Sequence, residues 1–357
     1  MPQMNPLLGK FGLARLANAL LLFQTFGPAL LVLNVCVSAS YGATRTWTPQ
    51  GISRDWHDAA NWSPQGVPGG LDDVVHNNGS RISLANGPSA AIDNLALMMG
   101  ARLSTEGNML LVNAADNNGL VQIIGSGSEL IVQPGSLSGR DVDLDSLSIE
   151  VSGNLKMAGG RVRLDRTIFV DNDSRITGHG TIDFDDSDPN DPPVVMTVEG
   201  TVRPGGGILR LQAKSDSVML FDGANLDASF GDLQINANLA APYRGTLTVG
   251  ADSFFSADQR FPFDESATLN LLGGDIFSPA VFNAPLSTFI GNRVNVSGSA
   301  VLAGDTRITK NAVVNLPNSD DQLRFNGLAV IHGAIRDEDH TGATDWNHGA
   351  HIVVSPI

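Results

Sequence analysis

The chain is acidic, because its 357 residues include 37 Asp and Glu but only 22 Lys and Arg, which gives a net charge of −15 at neutral pH. Such a surface repels phosphate backbones and anionic lipid, so nucleic-acid binding and a membrane-surface role are excluded. The 39 glycines and the low aromatic content of 6 % indicate many tight corners and small, stackable side chains.

The first 39 residues have the three parts of a secretory signal peptide. Met1–Arg15 carries two basic residues and no acid, an apolar run continues to Val37, and the small residues Ser38 and Ala39 close it. We predict cleavage after Ala39, with a cut after Gly42 as the alternative. An uncleaved anchor is the competing interpretation, since the run is about long enough to span a bilayer.

The chain has one cysteine, Cys36, and it lies inside the predicted signal peptide. Its lipidation is disfavoured, because Val35 stands where a small residue normally precedes a lipidated cysteine. The mature chain would then have no disulfide and would depend on its own packed core. No later segment resembles a membrane span, so we expect a secreted or cell-surface protein without membrane attachment after cleavage.

From Thr44 onward, short apolar/polar alternations are interrupted by Gly, Asn, Asp or Ser about every six to ten residues, which predicts strands and turns. A unit of alternation, glycine corner and second alternation recurs at 153–164, 174–184 and 200–211. One unit cannot bury its apolar face, but stacked units can. We therefore predict an all-β chain that forms a right-handed parallel β-helix. The inward positions should include Val162, Leu164, Ile182, Leu209 and Leu211.

An antiparallel sandwich or barrel is the competing fold. Asn-Gly pairs, which favour hairpins, begin at Asn78, Asn86, Asn118 and Asn326. These pairs do not recur at each corner, whereas the alternation and glycine unit does, so the β-helix is preferred.

Two stretches carry a resemblance to a known class of proteins. One is the tryptophan-containing segment 47–75, with Trp47, Trp56 and Trp62, and the other is Gly200-Thr-Val-Arg-Pro204-Gly. They resemble the opening segment and a recurring turn of secreted bacterial repeat proteins of the autotransporter-passenger and PEP-CTERM-associated kind. The resemblance covers most of residues 47–335. It implies a β-helix but no particular activity, because such scaffolds carry many functions.

These observations divide the chain into four segments. We predict a signal peptide at 1–39, an N-terminal cap at 40–90, a β-helix body at 91–335 and a polar C-terminal tail at 336–357. The cap should contain Trp47, Trp56 and Trp62. Tryptophans at the end of a β-stack usually plug its open core, and a sugar-stacking platform is the alternative.

One acidic loop is the candidate metal site. It offers carboxylate and amide oxygens, which Ca²⁺ prefers. The loop departs from a calcium-binding loop because Asp191 replaces the glycine, two prolines stiffen the turn and no glutamate closes the coordination. We expect calcium to bind weakly or not at all, and no other cofactor. The candidate ligands are Asp183, Asp185, Asp186, Asp188, Asn190 and Asp191.

Two histidine patterns are further candidate sites. Gly178-His179-Gly180, followed by Asp185-Asp186, resembles the pectin-degrading β-helix hydrolases, in which paired carboxylates act as general acid and base. The order of the two motifs is reversed here and a companion Asn-Thr-Asp motif is missing, so a glycine corner with an outward histidine is preferred. The histidines near the C-terminus are interpreted as part of a polar tail; these are His332, His340, His348 and His351.

No catalytic site is discernible in the sequence, and an enzyme is the less favoured interpretation. We predict an exported structural or adhesive β-solenoid module, with glycans or other surface proteins as partners. The alternative is a polysaccharide-acting hydrolase or lyase on the same scaffold. The oligomeric state is left open.

The signal peptide makes a direct prediction about processing. N-terminal sequencing of exported protein should give a first residue between Ser40 and Thr44, because the small-residue exit at Ala39 fits the signal peptidase. Recovery of mature protein that still begins with Met1 would contradict cleavage and favour the uncleaved anchor.

Overall fold

Short strands joined by glycine-rich corners make up the structure, a computed structural model. It describes residues 42–49, 53–85, 87–106, 108–112, 120–126, 128–133, 142–184, 195–213, 217–257, 261–264, 266–284, 287–291, 293–302, 305–310, 312–316, 322–325, 329–332 and 334–337. The predicted signal peptide lies outside these residues.

The described strands follow one another from Thr44 to Asp337, and a single short 3-10 helix occurs among the described residues, at Ala59–Asn61. In chain order they are β1 Thr44–Trp47, β2 Trp62–Ser63, β3 Asp73–His76, β4 Arg81–Ser83, β5 Ala90–Ile92, β6 Asn94–Met98, β7 Arg102–Ser104, β8 Leu110–Val112, β9 Leu120–Ile124, β10 Glu129–Val132, β11 Val142–Glu150, β12 Asn154–Val170, β13 Arg175–Phe184, β14 Val195–Val198 and β15 Thr201–Ala213. They continue with β16 Val218–Ala228, β17 Asp232–Asn236, β18 Asn238–Leu239, β19 Arg244–Val249, β20 Phe254–Ala257, β21 Thr268–Leu271, β22 Gly274–Ala284, β23 Ser287–Ile290, β24 Arg293–Leu302, β25 Asp305–Ile308, β26 Val313–Leu316, β27 Gln322–Phe325, β28 Ala329–Ile331 and β29 Ala334–Asp337. In the described part of the chain, no helix is long and apolar enough to cross a membrane.

The strands stack in parallel on three faces of a solenoid. The first face contains β1, β3, β6, β9, the ends of β11 and β12, β14, the start of β16 and β18, and later the ends of β22 and β24 with β27. The second contains β4, β7, β10, the starts of β12, β13 and β15, the end of β16, β19, β21, β23, β25 and β28. The third contains β5, β8, the start of β11, the middle of β12, the ends of β13 and β15, β17, β20, the starts of β22 and β24, β26 and β29.

Parallel pairing around a coil confirms the predicted parallel β-helix and excludes the antiparallel sandwich as the fold of the described residues. The one antiparallel pair of strands among the described residues joins β1 and β2 near the N-terminus. Within the segment predicted as a cap, β1, β3, β4 and β5 already pair in parallel with strands of the next turn. At the other end, β29 is the last described strand and extends to Asp337.

The core is a set of side-chain columns that follow the strand register. Val162 pairs with Ile182, which pairs with Leu211, and all three are fully buried. Leu164 and Leu209, the other predicted inward positions, are also fully buried, so the predicted register is confirmed. Each such column removes apolar surface from water along the solenoid, which is the main stabilising term of the fold.

The number of residues in a turn varies, although the strands of successive turns pair without losing the alignment of their buried side chains. On the second face Leu155 pairs with Ile176 and Ile176 with Val202, so two successive turns take 21 and 26 residues. Thr288 and Thr306 pair after only 18 residues. The extra residues lie between the strands, which is why the repeat is uneven in the sequence.

Three tryptophans close the N-terminal end of the core. Trp62 makes edge-to-face contacts with Trp47 and Trp56, at ring centroid distances of 5.0 and 4.9 Å. None of the three rings is more than 2 % exposed. The indole nitrogen of Trp62 donates to the Trp56 carbonyl at 2.8 Å. This tryptophan cap confirms the plug and rules out the sugar-stacking platform, since no ring face is open to a ligand.

A second aromatic group lies where the first face has no described strand. Among the described residues, no strand occupies that face between β18 and the end of β22. The space contains an aromatic cluster with ring centroids 5.2–6.4 Å apart. The Tyr243 hydroxyl donates to the Ala224 carbonyl at 2.8 Å, which satisfies its one polar group. The members of the cluster are Phe221, Tyr243, Phe255, Phe261 and Phe263.

The column through Ile182 gives a stability prediction. Ile182→Asp would bury an unpaired carboxylate between Val162 and Leu211 and should lower the free energy of unfolding by about 4 kcal/mol. Urea denaturation measures this loss. Thr181→Asp is the matched control, because Thr181 faces outward beside Arg161 and Arg210 and should tolerate the charge. Equal loss in both variants would contradict the register.

Candidate functional site

The edge between the second and third faces is formed mainly by glycines and small polar residues. We call it the glycine edge, and it comprises residues 158–160, 178–180, 204–207, 229–231, 250–253 and 272–274. At Gly178, which has φ of 96°, an added Cβ would collide with the Met157 carbonyl of the preceding turn. The chain therefore needs glycine here because successive turns approach too closely for a side chain.

An open depression of about 500 Å³ lies beside this edge on the third face. The backbone around it is tightly turned, with Asp252, Gly273 and Gly274 at positive φ. These turns bring three aspartates from successive turns of the solenoid to one place. The lining residues are Asp232, Ala251, Asp252, Ser253, Phe254, Gly273, Gly274, Asp275 and Asn295.

Hydrogen bonds hold two of these carboxylates in place, and the second oxygen of each has no hydrogen bond to another described residue. One oxygen of Asp232 accepts the Phe254 backbone N–H at 2.9 Å. One oxygen of Asp275 accepts the Asn295 side-chain amide at 2.5 Å, and Asn295 in turn accepts the amide of Asn315 at 2.8 Å. Asp275, Asn295 and Asn315 thus form a row of hydrogen-bonded side chains across three successive turns of the third face.

The depression, which we call the aspartate depression, has aspartates as the charged residues of its described lining. No Lys, Arg or His is among the described residues that line it. Its carboxylates can accept hydrogen bonds from hydroxyl or ammonium groups, and Asn295 adds an amide. No three His, Cys, Asp or Glu side chains in the described ranges are grouped so as to hold a metal ion.

An exposed aromatic ring lies on the glycine edge one turn before Asp252. Phe230 is 59 % exposed, although it is large and apolar. The Arg203 guanidinium lies over its ring at 4.0 Å from the centroid and also pairs with Asp227 at 3.3 Å. Because Arg203 covers only one side of the ring, the other side is available for stacking.

The proposed calcium loop is only partly described. Asp183 is buried, and its carboxylate pairs with Arg161 on the preceding turn. The other predicted ligands lie outside the described residues; they are Asp185, Asp186, Asp188, Asn190 and Asp191. The calcium hypothesis stays a prediction. The carboxylate of Asp183 is already paired with the Arg161 guanidinium.

The Gly178-His179-Gly180 motif forms a corner of the glycine edge. His179 is half-buried, and its Nδ1 lies 3.3 Å from the Gly205 carbonyl of the next turn. This is the glycine corner that the sequence favoured over a hydrolase motif. Asp185 and Asp186, the acids of the hydrolase hypothesis, lie outside the described residues. Of the C-terminal histidines, His332 is described and exposed, whereas His340, His348 and His351 are not described.

The aspartate depression was not predicted from the sequence. A usable signal was present, since a Gly-Asp pair occurs at Gly231-Asp232 and again two turns later at Gly274-Asp275. The two pairs are seen to be neighbours only in the folded chain, where the Phe254 N–H bonds to Asp232 and Phe254 pairs with Asp275 in the strand register. Uneven turn lengths hide that alignment.

Comparisons with known proteins give no family for this chain. No protein-family model matches the sequence, and neither a curated protein nor a solved structure is significantly similar to it.

The glycine edge gives a prediction that separates the cost of a steric clash from the cost of backbone strain. Gly178→Ala should destabilise the protein by more than about 2 kcal/mol, because the methyl group meets the Met157 backbone. Gly206→Ala is the matched control, since Gly206 also has positive φ but nothing lies within 4 Å of its added Cβ. Its cost should be about 1 kcal/mol, from backbone strain alone. Thermal unfolding of both variants checks this, and equal shifts would show that close approach is unimportant.

Proposed function

We propose that this protein is an exported structural or adhesive rod that binds glycans along its glycine edge. The single observation that supports adhesion is the aspartate depression with the exposed Phe230 ring beside it, on the same turn as Asp232. Export is supported by the N-terminal sequence, which has the three parts of a signal peptide.

The structural part of the proposal is supported by the way the turns are joined. The apolar columns run inside, and polar side chains link neighbouring turns outside. Asn154 donates to Glu129 at 2.7 Å and accepts from Thr177 at 3.0 Å, so three turns are connected on the second face. A solenoid held this way keeps its outer faces free for contacts with partners.

The chemistry of the depression favours neutral or amine-bearing sugars. Sugar hydroxyls can donate to the free oxygens of Asp232, Asp252 and Asp275, and the apolar face of a sugar ring can stack on Phe230. Acidic polysaccharides would meet three carboxylates and a chain of net charge −15. We therefore expect uronic-acid polymers to be rejected.

A second candidate function is favoured by the same carboxylates. Glycoside hydrolysis uses a pair of carboxyl groups as acid and as base or nucleophile, and the depression presents three. The rod remains the preferred proposal, because the depression is open and Asp252 and Asp275 are exposed, so the site does not enclose a reacting sugar away from water.

A glycan array tests the adhesive proposal. The protein should bind neutral or amino-sugar glycans, and Phe230→Ala should weaken binding about tenfold, equivalent to roughly 1.4 kcal/mol. Asp275→Asn should weaken it as well, because the amide replaces an acceptor oxygen with a donor. Phe169→Ala is the matched control, since Phe169 is an exposed aromatic on the first face, away from the glycine edge.

The same variants distinguish binding from turnover. Incubation with each bound glycan should release no reducing ends if the protein is adhesive. Release that disappears in Asp275→Asn or Asp252→Asn would replace the adhesive proposal by the hydrolase. Binding that is unchanged in Phe230→Ala and Asp275→Asn would place any glycan site elsewhere on the rod.

A further inference from the structure

A histidine is buried beneath the tryptophan cap. His76 is the last residue of β3, and its side chain is fully inaccessible to solvent. Its ring centroid lies 6.0 Å from that of Trp47, and on the next turn Leu97 occupies the same register position. An ionisable ring therefore lies in a column that is otherwise apolar.

The hydrogen bonds of His76 define which nitrogen carries the proton. Its Nε2 lies 2.9 Å from the Ser80 carbonyl oxygen, which can only accept, so Nε2 is the protonated nitrogen of the neutral ring. Its Nδ1 is buried and has no hydrogen-bond partner. Protonation of His76 would therefore place a new charge and a new donor where no acceptor receives it.

Ser80 connects His76 to the cap. The Trp47 indole nitrogen donates to the Ser80 hydroxyl at 3.0 Å, and that hydroxyl donates to the Asn78 side-chain carbonyl at 2.7 Å. The Asn78 amide then donates to the Trp47 backbone carbonyl at 3.1 Å. Any movement that relieves a charged His76 through Ser80 will disturb the position of Trp47.

The neighbouring charged groups are already paired with one another or with amides. On β1, Arg45 pairs with Asp72 at 3.1 Å. On β4, Arg81 pairs with Glu106 at 2.9 Å.

Two acids lie near His76 in the chain and on the next turn. Asp73, on β3 itself, accepts from Asn94 at 2.7 Å, and Asp93, just before β6, accepts from the same amide at 3.1 Å. Neither is the partner of His76, whose Nδ1 is unpaired. His57, the other histidine of the predicted cap segment, packs against Gly87.

We propose that the tryptophan cap is an acid-labile lid, opened when His76 takes up a proton. Opening would uncover the first turn of the solenoid and the strand edges of β3 and β4 for contact with another surface.

The direction of the pH effect follows from the burial of the ring. Desolvation lowers the pKa of His76 from its ordinary 6.5 to about 4, and the Ser80 hydrogen bond only partly opposes this. In the open cap the ring is hydrated and its pKa returns towards 6.5. The open form therefore binds the proton first, so the closed cap is fully stable above about pH 6.5 and loses stability as the pH falls towards 4. The opening equilibrium should shift on the order of a hundredfold over that interval.

Acrylamide quenching of tryptophan fluorescence tests the lid. For this experiment Trp346→Phe is introduced into the full-length protein, so that the remaining tryptophans are Trp47, Trp56 and Trp62. Quenching should be weak at pH 7.5 and should rise several-fold by pH 4.5, while the far-ultraviolet β signal of the body stays unchanged. In His76→Gln, which can still donate to Ser80 but does not titrate, quenching should stay weak throughout.

Two matched variants control for other groups that titrate in this range. His57→Asn and His179→Asn should keep the full pH response of the parent. If His76→Gln leaves the cap open already at pH 7.5, His76→Phe replaces it, because the phenyl ring fills the same apolar space without titrating. A parent that shows no rise in quenching, a His76 variant that retains the rise, or a body that melts at the same pH would each overturn the proposal.

Discussion

Every turn of this solenoid must place an apolar side chain where the turns before and after it place theirs, because parallel hydrogen bonds fix the residues in register. Val162, Ile182 and Leu211 meet this condition on the third face. The same condition forces glycine at Gly178, where adjacent turns come too close for a side chain. The stacked core side chains, the glycines at the corners and the rows of polar side chains on the surface therefore all follow from the same strand register.

The two aromatic groups lie where the core side chains of one turn have no described neighbouring strand to pack against. At the N-terminal end there is no described turn before β1, and Trp47, Trp56 and Trp62 cover the exposed core. Where the first face lacks a described strand, Tyr243 and Phe261 pack into the space instead. Aromatic residues are rare in the sequence, at 6 %, and eight of them form these two groups.

The sequence was sufficient to predict the fold but not the candidate site. Alternation around Val162 and Leu164 and the glycine at Gly178 report local geometry, which a single stretch of sequence contains. The aspartate depression depends on Asp232 and Asp275 meeting across two turns, and turns of 18 to 26 residues conceal which residues are neighbours. The buried His76 was missed for a similar reason, because its burial beside Trp47 and the lack of a partner for its Nδ1 become visible only in the folded chain.

The aromatic cluster also affects how the molecule comes apart. In a solenoid each turn contacts only the turns before and after it, so each turn behaves as a two-state unit coupled to its neighbours. Unfolding that begins at one end can therefore spread from turn to turn along the solenoid. Phe221, Tyr243 and Phe261 contact one another across successive turns, so ring packing links these turns in addition to the strand pairing on the other two faces. We expect this packing to resist fraying, which would let the segments on its two sides unfold as separate cooperative blocks.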